Sequence, residues 1–246
     1  MSLGNSLGLS VSNPRQSGSA FNACSVDFDG TDQDVNINNM AGTINVYQFS
    51  FSLWIKLGTQ SSSGVLFKFI SDSSNNQILC LFHGSGNEIR FNHKMYGQAD
   101  VCNGGSGNVT ENDGTWWHIA GTVDKTTTNQ IVLYVNGTAK ETITGVGTIE
   151  AGKSMETAAI GSNSESGAYI DATMNSVIFW NRALGSDEIN TIYRARSNYN
   201  ALQQGGTDLF AWYMLNDGSG DKAVNKVDTS SLGTYRNSPV WLNDTP

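Results

Sequence analysis

The stretch Tyr169–Ile192, YIDATMNSVIFWNRALGSDEINTI, decides the fold of this chain. It opens with the pattern of a long β-strand, which becomes continuously apolar from Val177 to Trp180. A strand is continuously apolar when both of its faces are buried. The polar loop Asn181–Leu184 follows at once. The sequence therefore predicts a central strand of a β-sheet that leads directly into a second element.

That second element is predicted to be a short α-helix near residues 186–195. Ser186 is a suitable N-cap, and Asp187 and Glu188 suit the positive end of a helix dipole. The helix would have one apolar face, made by Ile189, Ile192 and Tyr193. No other helix is predicted.

Strand patterns cover most of the remaining sequence. Residues 49–57, FSFSLWIKL, alternate between apolar and polar side chains, which is typical of a half-buried strand. Residues 130–143, QIVLYVNGTAKETI, predict a hairpin in which Asn136 and Gly137 supply the positive φ angles of a type I′ turn. Regularly spaced strands with little helix between them predict an all-β, antiparallel β-sandwich.

Length and composition favour one large domain. The 246 residues are a usual length for a single β-sandwich, and 27 glycines with only 15% charged residues are typical of strands joined by tight turns. Residues 1–20 are rich in Gly, Ser and Asn and are predicted to form a flexible N-terminal arm. Residues 21–246 are predicted to form one domain. Strands within 205–246 should complete its sandwich, because that segment is too short to bury a core of its own.

The charge of the chain excludes several partners. A net charge of −8 and a pI near 4.7 oppose binding to nucleic acid, which needs clustered Lys and Arg. Membrane insertion is not expected, because no apolar run approaches the length of a membrane span. The opening MSLGNSLGLS lacks the basic and apolar regions of a secretory leader. Synthesis in the cytoplasm without a signal peptide is therefore expected.

Several short segments occur in an order that resembles a known family. Between residues 24 and 195 they are VDFDG, FSFSLWIK, TWWHIAGTVD, LYVNG, AIG and NRAL. In this order they resemble the laminin-G-like branch of the concanavalin A-like lectin jelly rolls. The resemblance implies a jelly-roll β-sandwich that presents loops and a shallow face to ligands, and it does not imply catalysis.

Catalytic residues are not expected. Glycosidases on this scaffold resemble one another in placing carboxylates on one strand as Glu-x-Asp-x-(x)-Glu, since a nucleophile and an acid must lie about 5–5.5 Å apart. The sequence has no such pattern, and its three histidines lack the spacing of a catalytic or metal site. His118 is expected to be a hydrogen-bonded structural residue. A glycoside hydrolase with an unrecognised site remains a remote alternative.

A calcium site is one interpretation of the loop that contains Asp27, Asp29, Asp32 and Asp34. Alternating carboxylates in a tight, glycine-containing turn suit Ca²⁺, which takes 6–8 oxygen ligands. The laminin-G-like resemblance also implies calcium, and Asp171 is a further candidate ligand. The alternative is a plain Asx turn, in which the carboxylates accept hydrogen bonds from backbone amides.

Two aromatic residues are candidate ligand-binding residues. Trp54 shares a strand face with the polar residues Ser50, Ser52 and Lys56, and Tyr96 lies in a long loop rich in Gly and Asn. Aromatic faces at such positions would stack on the apolar faces of sugar rings.

Two functional interpretations follow. The first is a non-catalytic phage virion decoration, fibre or adhesion protein on the virion surface, joined to other virion or surface proteins through the N-terminal arm. The alternative is a free, extracellular carbohydrate-binding lectin module. In both cases host or environmental glycans are candidate partners, and an oligomeric or multivalent assembly is expected, because weak single sites bind usefully only in many copies.

Overall fold

Strands form most of the computed structural model, which describes residues 23–60, 62–71, 77–84, 87–95, 98–103, 109–145, 155–163 and 167–246. The predicted arm at residues 1–20 lies outside the described residues. In chain order the strands are β1 (Ser25–Asp29), β2 (Asp34–Asn36), β3 (Gln48–Leu57), β4 (Gly64–Ile70), β5 (Gln77–Gly84), β6 (Glu88–Met95), β7 (Gln98–Asn103), β8 (Trp117–Asp124), β9 (Gln130–Val135), β10 (Thr138–Thr144), β11 (Thr157–Ile160), β12 (Asp171–Trp180), β13 (Leu209–Tyr213), β14 (Lys222–Ala223), β15 (Gly233–Arg236) and β16 (Val240–Leu242).

The strands form two antiparallel sheets that pack face to face. The first sheet has the order β10-β9-β8-β3-β12-β1-β16, with β13 also paired to β12. The second has the order β14-β15-β2-β11-β4-β5-β6-β7. This arrangement is an all-β jelly-roll sandwich, which confirms the predicted fold class. Residues 209–246 add strands to both sheets, since β13 pairs with β12, β15 with β2 and β16 with β1.

The core lies between the two sheets and is built around phenylalanine. Phe179 of β12 lies 5.2 Å from Phe67 and 5.3 Å from Phe69, both of β4 in the opposite sheet, between ring centroids. Phe49 of β3 stacks on the same ring at 5.9 Å. All four side chains are fully buried. Their edge-to-face contacts join the sheets at the centre of the sandwich.

The continuous apolar run at the end of β12 lies where both faces of the strand are buried, just after a β-bulge. The register of the pairing between β12 and β3 changes between Asn175 and Ile178, and Ser176 has a φ of 51°. On the far side of the bulge, Val177 and Phe179 face the opposite sheet, whereas Ile178 and Trp180 belong to a second apolar cluster on the outer face. Both faces are therefore buried there, as the sequence predicts.

Helix α2 (Ser186–Ala195) covers that outer cluster. Its apolar residues Ile189 and Ile192 pack with Trp180, Trp212 and neighbouring side chains of β12 and β13. The helix matches the predicted residues, but its N-cap is Gly185 and not Ser186. Glu188 takes the capping role, because its carboxylate accepts the backbone N–H of Gly185 at 2.9 Å and pairs with Arg182.

Two further helices were not predicted from the sequence. They are α1 (Asn38–Ala41) and α3 (Ala201–Gln204), each a single turn of four residues that has no room for a repeating apolar pattern. A 3₁₀ turn at Arg196–Asn198 follows α2. None of the helices in the described part of the chain is long and apolar enough to cross a membrane.

The predicted hairpin between β9 and β10 is confirmed. Asn136 and Gly137 have φ angles of 49° and 73°, the two positive values that a type I′ turn requires. Tyr193 of α2 packs against this turn, where a side chain on Gly137 would touch its ring at 2.8 Å. The contact between this turn and Tyr193 therefore helps to hold α2 against the outer face of the first sheet.

Candidate functional site

A row of side chains on the outer face of the first sheet forms the centre of the candidate site. Asp27 of β1 is paired with Thr173 of β12, which is paired with Lys56 of β3. Their neighbours along each strand point into the core, so alternation directs these three side chains outward. Trp116 lies next in line, with the Lys56 ammonium 5.6 Å from the centroid of its ring. We call these four residues the polar row.

Two adjoining surface clefts open beside the polar row. The larger, of about 260 Å³, is lined by Asp27, Lys56, Leu57, Gly58, Asn112, Gly114, Asp171 and Thr173. The smaller, of about 130 Å³, is lined by Asp29, Gly30, Thr31, Thr59, Gln60, Ser62, Tyr169 and Asp171. Asp171 belongs to both clefts. The larger cleft presents carboxylate, amide, hydroxyl and ammonium groups within one small volume.

Asp171, which lines both clefts, has a raised carboxyl pKa. Burial raises its pKa above the ordinary value, and the negative charges of Asp27, Asp29 and Glu111 raise it further. A hydrogen bond from the backbone N–H of Thr59 opposes these effects by stabilising the ionised form. The ionised form of Asp171 therefore lowers the stability of the folded protein, as is common for residues that serve binding or catalysis.

Gly58 makes room for the Asp171 side chain. The backbone N–H of Gly58 donates to the carbonyl of Asp171 at 2.9 Å, which brings the two chains close together. A Cβ atom at Gly58 would overlap the Asp171 carboxylate. The absence of a side chain at this position therefore keeps Asp171 in the clefts.

Replacing Asp171 with asparagine is expected to raise the free energy of unfolding at pH 7. The change removes a charge that Asp27, Asp29 and Glu111 repel, and the gain should be about 0.3–1 kcal/mol, the range for partly exposed charges. The pKa of Asp171 is raised in the folded protein. The loss of folding stability caused by its charge is therefore complete above the raised pKa and absent below the ordinary value of 3.8. Urea denaturation at pH 7 and at pH 4 should show the difference shrinking as the pH falls. An equal difference at both pH values would contradict the electrostatic explanation.

The structure brings together three of the five carboxylates that the sequence nominated for calcium. Asp29 and Asp171 are directly paired across β1 and β12, and Asp27 is two residues away on the same face. Each of the two aspartates on β1 also has a hydrogen-bond donor beside it. Asp27 accepts the Thr173 hydroxyl at 2.7 Å, and Asp29 accepts the backbone N–H of Thr31 at 2.9 Å. The contact between Asp29 and Thr31 is the Asx turn of the alternative interpretation.

The other two aspartates lie elsewhere. Asp34 is fully buried, and its carboxylate accepts hydrogen bonds from the Arg236 guanidinium and the Ser162 hydroxyl. This corrects the sequence interpretation for Asp34, because a cation could not replace those partners at a buried position. Asp32 is exposed on the loop, and its backbone carbonyl accepts the side-chain amide of Asn237 at 2.8 Å.

The carboxylates do not form a cation cage. Within the described ranges, no three His, Cys, Asp or Glu side chains converge as a metal site. The clefts instead hold two of the nominated carboxylates each, Asp171 with Asp27 or with Asp29. Asp27, Asp29 and Asp171 share one face without converging on one point, and structural calcium stays a prediction from the sequence.

The structure does not leave Trp54 open for stacking on a sugar. The residue does share the outer face with Ser50, Ser52 and Lys56, but it is only 2% exposed. Its ring stacks on Tyr193 of α2 at 6.0 Å, and the Arg196 guanidinium lies 5.9 Å from its centroid. Helix α2 and the turn after it thus cover the face that the strand pattern presents as polar. The second aromatic candidate, Tyr96, lies outside the described residues.

Sequence reasoning missed Trp116. Trp116 and Trp117 are adjacent, and neither was among the candidate ligand-binding residues, which were Trp54 and Tyr96. Trp116 lies just before β8, is only partly buried, and donates its indole N–H to Asp244 at 3.1 Å. Side-chain alternation along a strand could have identified Trp116, because adjacent residues such as Trp116 and Trp117 point to opposite faces of the sheet.

His118 is a structural residue, as predicted. It is fully buried, and its Nε2 lies 2.9 Å from the Ser52 hydroxyl. Burial lowers the pKa of His118 to about 3, so the ring stays neutral. The Ser52–His118 pair has the atoms of a nucleophile and a base, but both groups lie beneath α2, where a substrate has no access.

Comparisons with known proteins identify the fold family. The family model described as the concanavalin A-like lectin/glucanases superfamily, Laminin_G_3, matches residues 29–190, more than half of the chain. No curated protein matches the sequence.

Solved structures with low sequence identity share the fold. A Bacteroides ovatus protein described as a candidate carbohydrate-binding protein has a TM-score of 0.63 at 13% identity, covering 89% of this chain and 61% of that one. The carbohydrate-binding module CBM40 of a Ruminococcus gnavus sialidase has a TM-score of 0.57 at 12% identity, covering 69% and 96%. A pentraxin from Limulus polyphemus has a TM-score of 0.54 at 16% identity, covering 70% and 82%. These structures share the sandwich fold, and the family model, which covers more than half of the chain, shows that the chain belongs to the laminin-G-like family of the concanavalin A-like lectin/glucanases superfamily.

Proposed function

We propose that this protein is a non-catalytic, lectin-like module that binds carbohydrate in the larger cleft beside the polar row. The observation that carries the proposal is the set of groups lining that cleft. Asp27, Asp171, Asn112 and Thr173 offer hydrogen-bond acceptors and donors at short range, and Lys56 adds a charged donor. Sugar hydroxyl groups both donate and accept hydrogen bonds, so a mixed set of this kind suits them.

The partly exposed ring of Trp116 supports the same proposal. It lies beside Lys56 at the end of the polar row, where a pyranose ring in the cleft could stack on it. The described neighbours add support, because two of them are carbohydrate-binding proteins by description and one was solved with α2,3-sialyllactose bound. A shallow single site of this kind binds near millimolar, so useful adhesion requires several copies.

Replacing Gly58 with alanine is expected to abolish most glycan binding while leaving the fold intact. The added methyl group displaces the Asp171 carboxylate from the cleft, and losing a hydrogen bond to a charged group should weaken binding about tenfold or more. The measurement is a glycan array probed with a multimerised protein, followed by titration calorimetry on the best ligand.

Gly42→Ala is the matched control for this experiment. Gly42 ends helix α1 with a right-handed φ of −72°, and an added methyl group would touch only the Met155 carbonyl, at 3.9 Å. This variant should bind as the unmodified protein does. Failure of the unmodified protein to bind any glycan at any valency would refute the proposal, and so would full binding by Gly58→Ala.

The narrower prediction of a virion surface protein rests on the sequence alone. Mass spectrometry of purified particles would test the location directly.

A further inference from the structure

Asp244 occupies one end of the polar row. Its carboxylate pairs with the Lys56 ammonium through one oxygen and accepts the Trp116 indole N–H through the other, at 3.1 Å. The Ser25 hydroxyl donates to the backbone carbonyl of the same residue. These contacts hold Asp244 on the outer face beside Lys56, which also lines the larger cleft.

The two groups that hold this carboxylate favour an anion, because the Lys56 ammonium is positively charged and both groups are hydrogen-bond donors. An ammonium and an indole N–H are both donors, and neither can accept a hydrogen bond. Lys56 also lines the larger cleft, whose other charged groups are the carboxylates of Asp27 and Asp171. The end of the row next to Trp116 therefore has a different specificity from the rest of the cleft.

The contact with Asp244 is a surface contact that a competing anion could replace. The Asp244 side chain is 42% exposed and that of Lys56 is 22% exposed. Burial alone would raise the pKa of the Asp244 carboxyl, but the hydrogen bonds from Lys56 and Trp116 bring it below its ordinary value. The pair thus stabilises a carboxylate, while exposed ion pairs of this kind exchange readily.

We propose that Lys56 and Trp116 form a carboxylate-binding subsite for acidic sugars, and that Asp244 occupies this subsite as an internal substitute for the ligand. The sugar ring would lie in the cleft against the indole, with its carboxylate on the ammonium and the indole N–H. This inference rests on the proposed function, because it names the sugar class for the same cleft. It also implies that an acidic sugar must first displace Asp244, which lowers its apparent affinity.

The experiment follows the Trp116 indole N–H resonance by NMR, assigned with a Trp116→Phe variant. Methyl glucuronide is the probe, and methyl glucoside is its neutral counterpart. In Asp244→Ala the resonance should shift with methyl glucuronide in the millimolar range and shift clearly less with the same concentration of methyl glucoside, which lacks the carboxylate. In the unmodified protein the same shift should need about fivefold more methyl glucuronide, because Asp244 competes.

Three further variants make the test specific. Asp244→Asn removes the charge but keeps an acceptor for Trp116, so it should also open the subsite if Asp244→Ala fails to fold. Adding Lys56→Met to either variant should abolish the shift. Asn243→Ala alters the adjacent exposed side chain and should behave as the unmodified protein does.

The inference is overturned if methyl glucuronide leaves the Trp116 resonance in place in the Asp244 variants, if methyl glucoside shifts it equally, or if Lys56→Met has no effect. These outcomes differ from failure of the proposed function. A protein that binds only neutral glycans on the array would keep the proposed function and lose this subsite. A methyl glucuronide shift without any glycan binding on the array would keep the subsite and remove the lectin role.

Discussion

Replacing Arg236 with methionine is expected to lower the free energy of unfolding by about 3–5 kcal/mol, the usual cost of leaving a buried charge unpaired. Arg236 of β15 lies directly opposite Asp34 of β2, and its guanidinium donates to both carboxylate oxygens. Asp34 is fully buried, so within the described part of the chain the variant leaves its carboxylate with only the Ser162 hydroxyl as a side-chain partner. Urea denaturation should show a lower midpoint with an unchanged slope.

A double variant separates the two contributions to this loss. Asp34→Leu combined with Arg236→Met removes both charges, and it should recover most of the stability, because Asp34 is the buried member of the pair and a buried charge with its partner is often replaced by apolar residues at little cost. Lys222→Met is the matched control, since it breaks the exposed Lys222–Asp221 pair in the neighbouring strand and should change stability by no more than about 0.5 kcal/mol. A single variant that unfolds like the control, or a double variant that recovers nothing, would contradict the explanation.

Replacing Phe179 with alanine is expected to destabilise the protein by about 3–5 kcal/mol. The fully buried ring contacts Phe67 and Phe69 of the opposite sheet and stacks between Phe49 and Phe210, at 5.9 and 6.0 Å. Truncation leaves a cavity at the point where the two sheets meet, and the surrounding rings can collapse only partly. Thermal unfolding followed by circular dichroism measures the loss.

Two controls define the size of the Phe179 effect. Phe179→Leu keeps most of the volume and should cost clearly less than alanine does. Val240→Ala removes methyl groups from a side chain that is 54% exposed and should change stability by about 0.5 kcal/mol or less. A loss for Phe179→Ala below that for Phe179→Leu would show that this ring does not join the sheets.

Much of the fold could be predicted from the sequence because the burial of each strand face is reflected in a short pattern of apolar and polar residues. The alternation at residues 49–57 places Phe49, Phe51, Leu53, Ile55 and Leu57 in the core, as the structure shows. The Asn136–Gly137 turn and helix α2 also carry local signals, in backbone conformation and in an apolar helix face. The four-residue helices were missed because a single turn is too short to carry a period.

The candidate site could be predicted only in part. Asp27, Asp29 and Asp171 meet because β1 pairs with β12, and the sequence nominated all three without indicating their register. Asp34 follows Asp32 by two residues, just as Asp29 follows Asp27. It lies on β2, however, and the neighbouring strand β15 supplies Arg236 from about two hundred residues away. Side-chain type and spacing alone could not separate a surface carboxylate from a buried, paired one.

The amino-acid sequence by itself determined where most of the strands lie, which faces of those strands are apolar, and that the chain is acidic. Those properties follow from periodicity and composition, which are local, whereas the laminin-G-like family was indicated by the resemblance of several short motifs. The tertiary structure alone decided which polar faces remain open: α2 covers Trp54, whereas Trp116, Lys56 and Thr173 stay at the surface beside Asp171. The reason is physical, because exposure of a strand face depends on which distant segment packs over it, and no pattern within the strand records that segment.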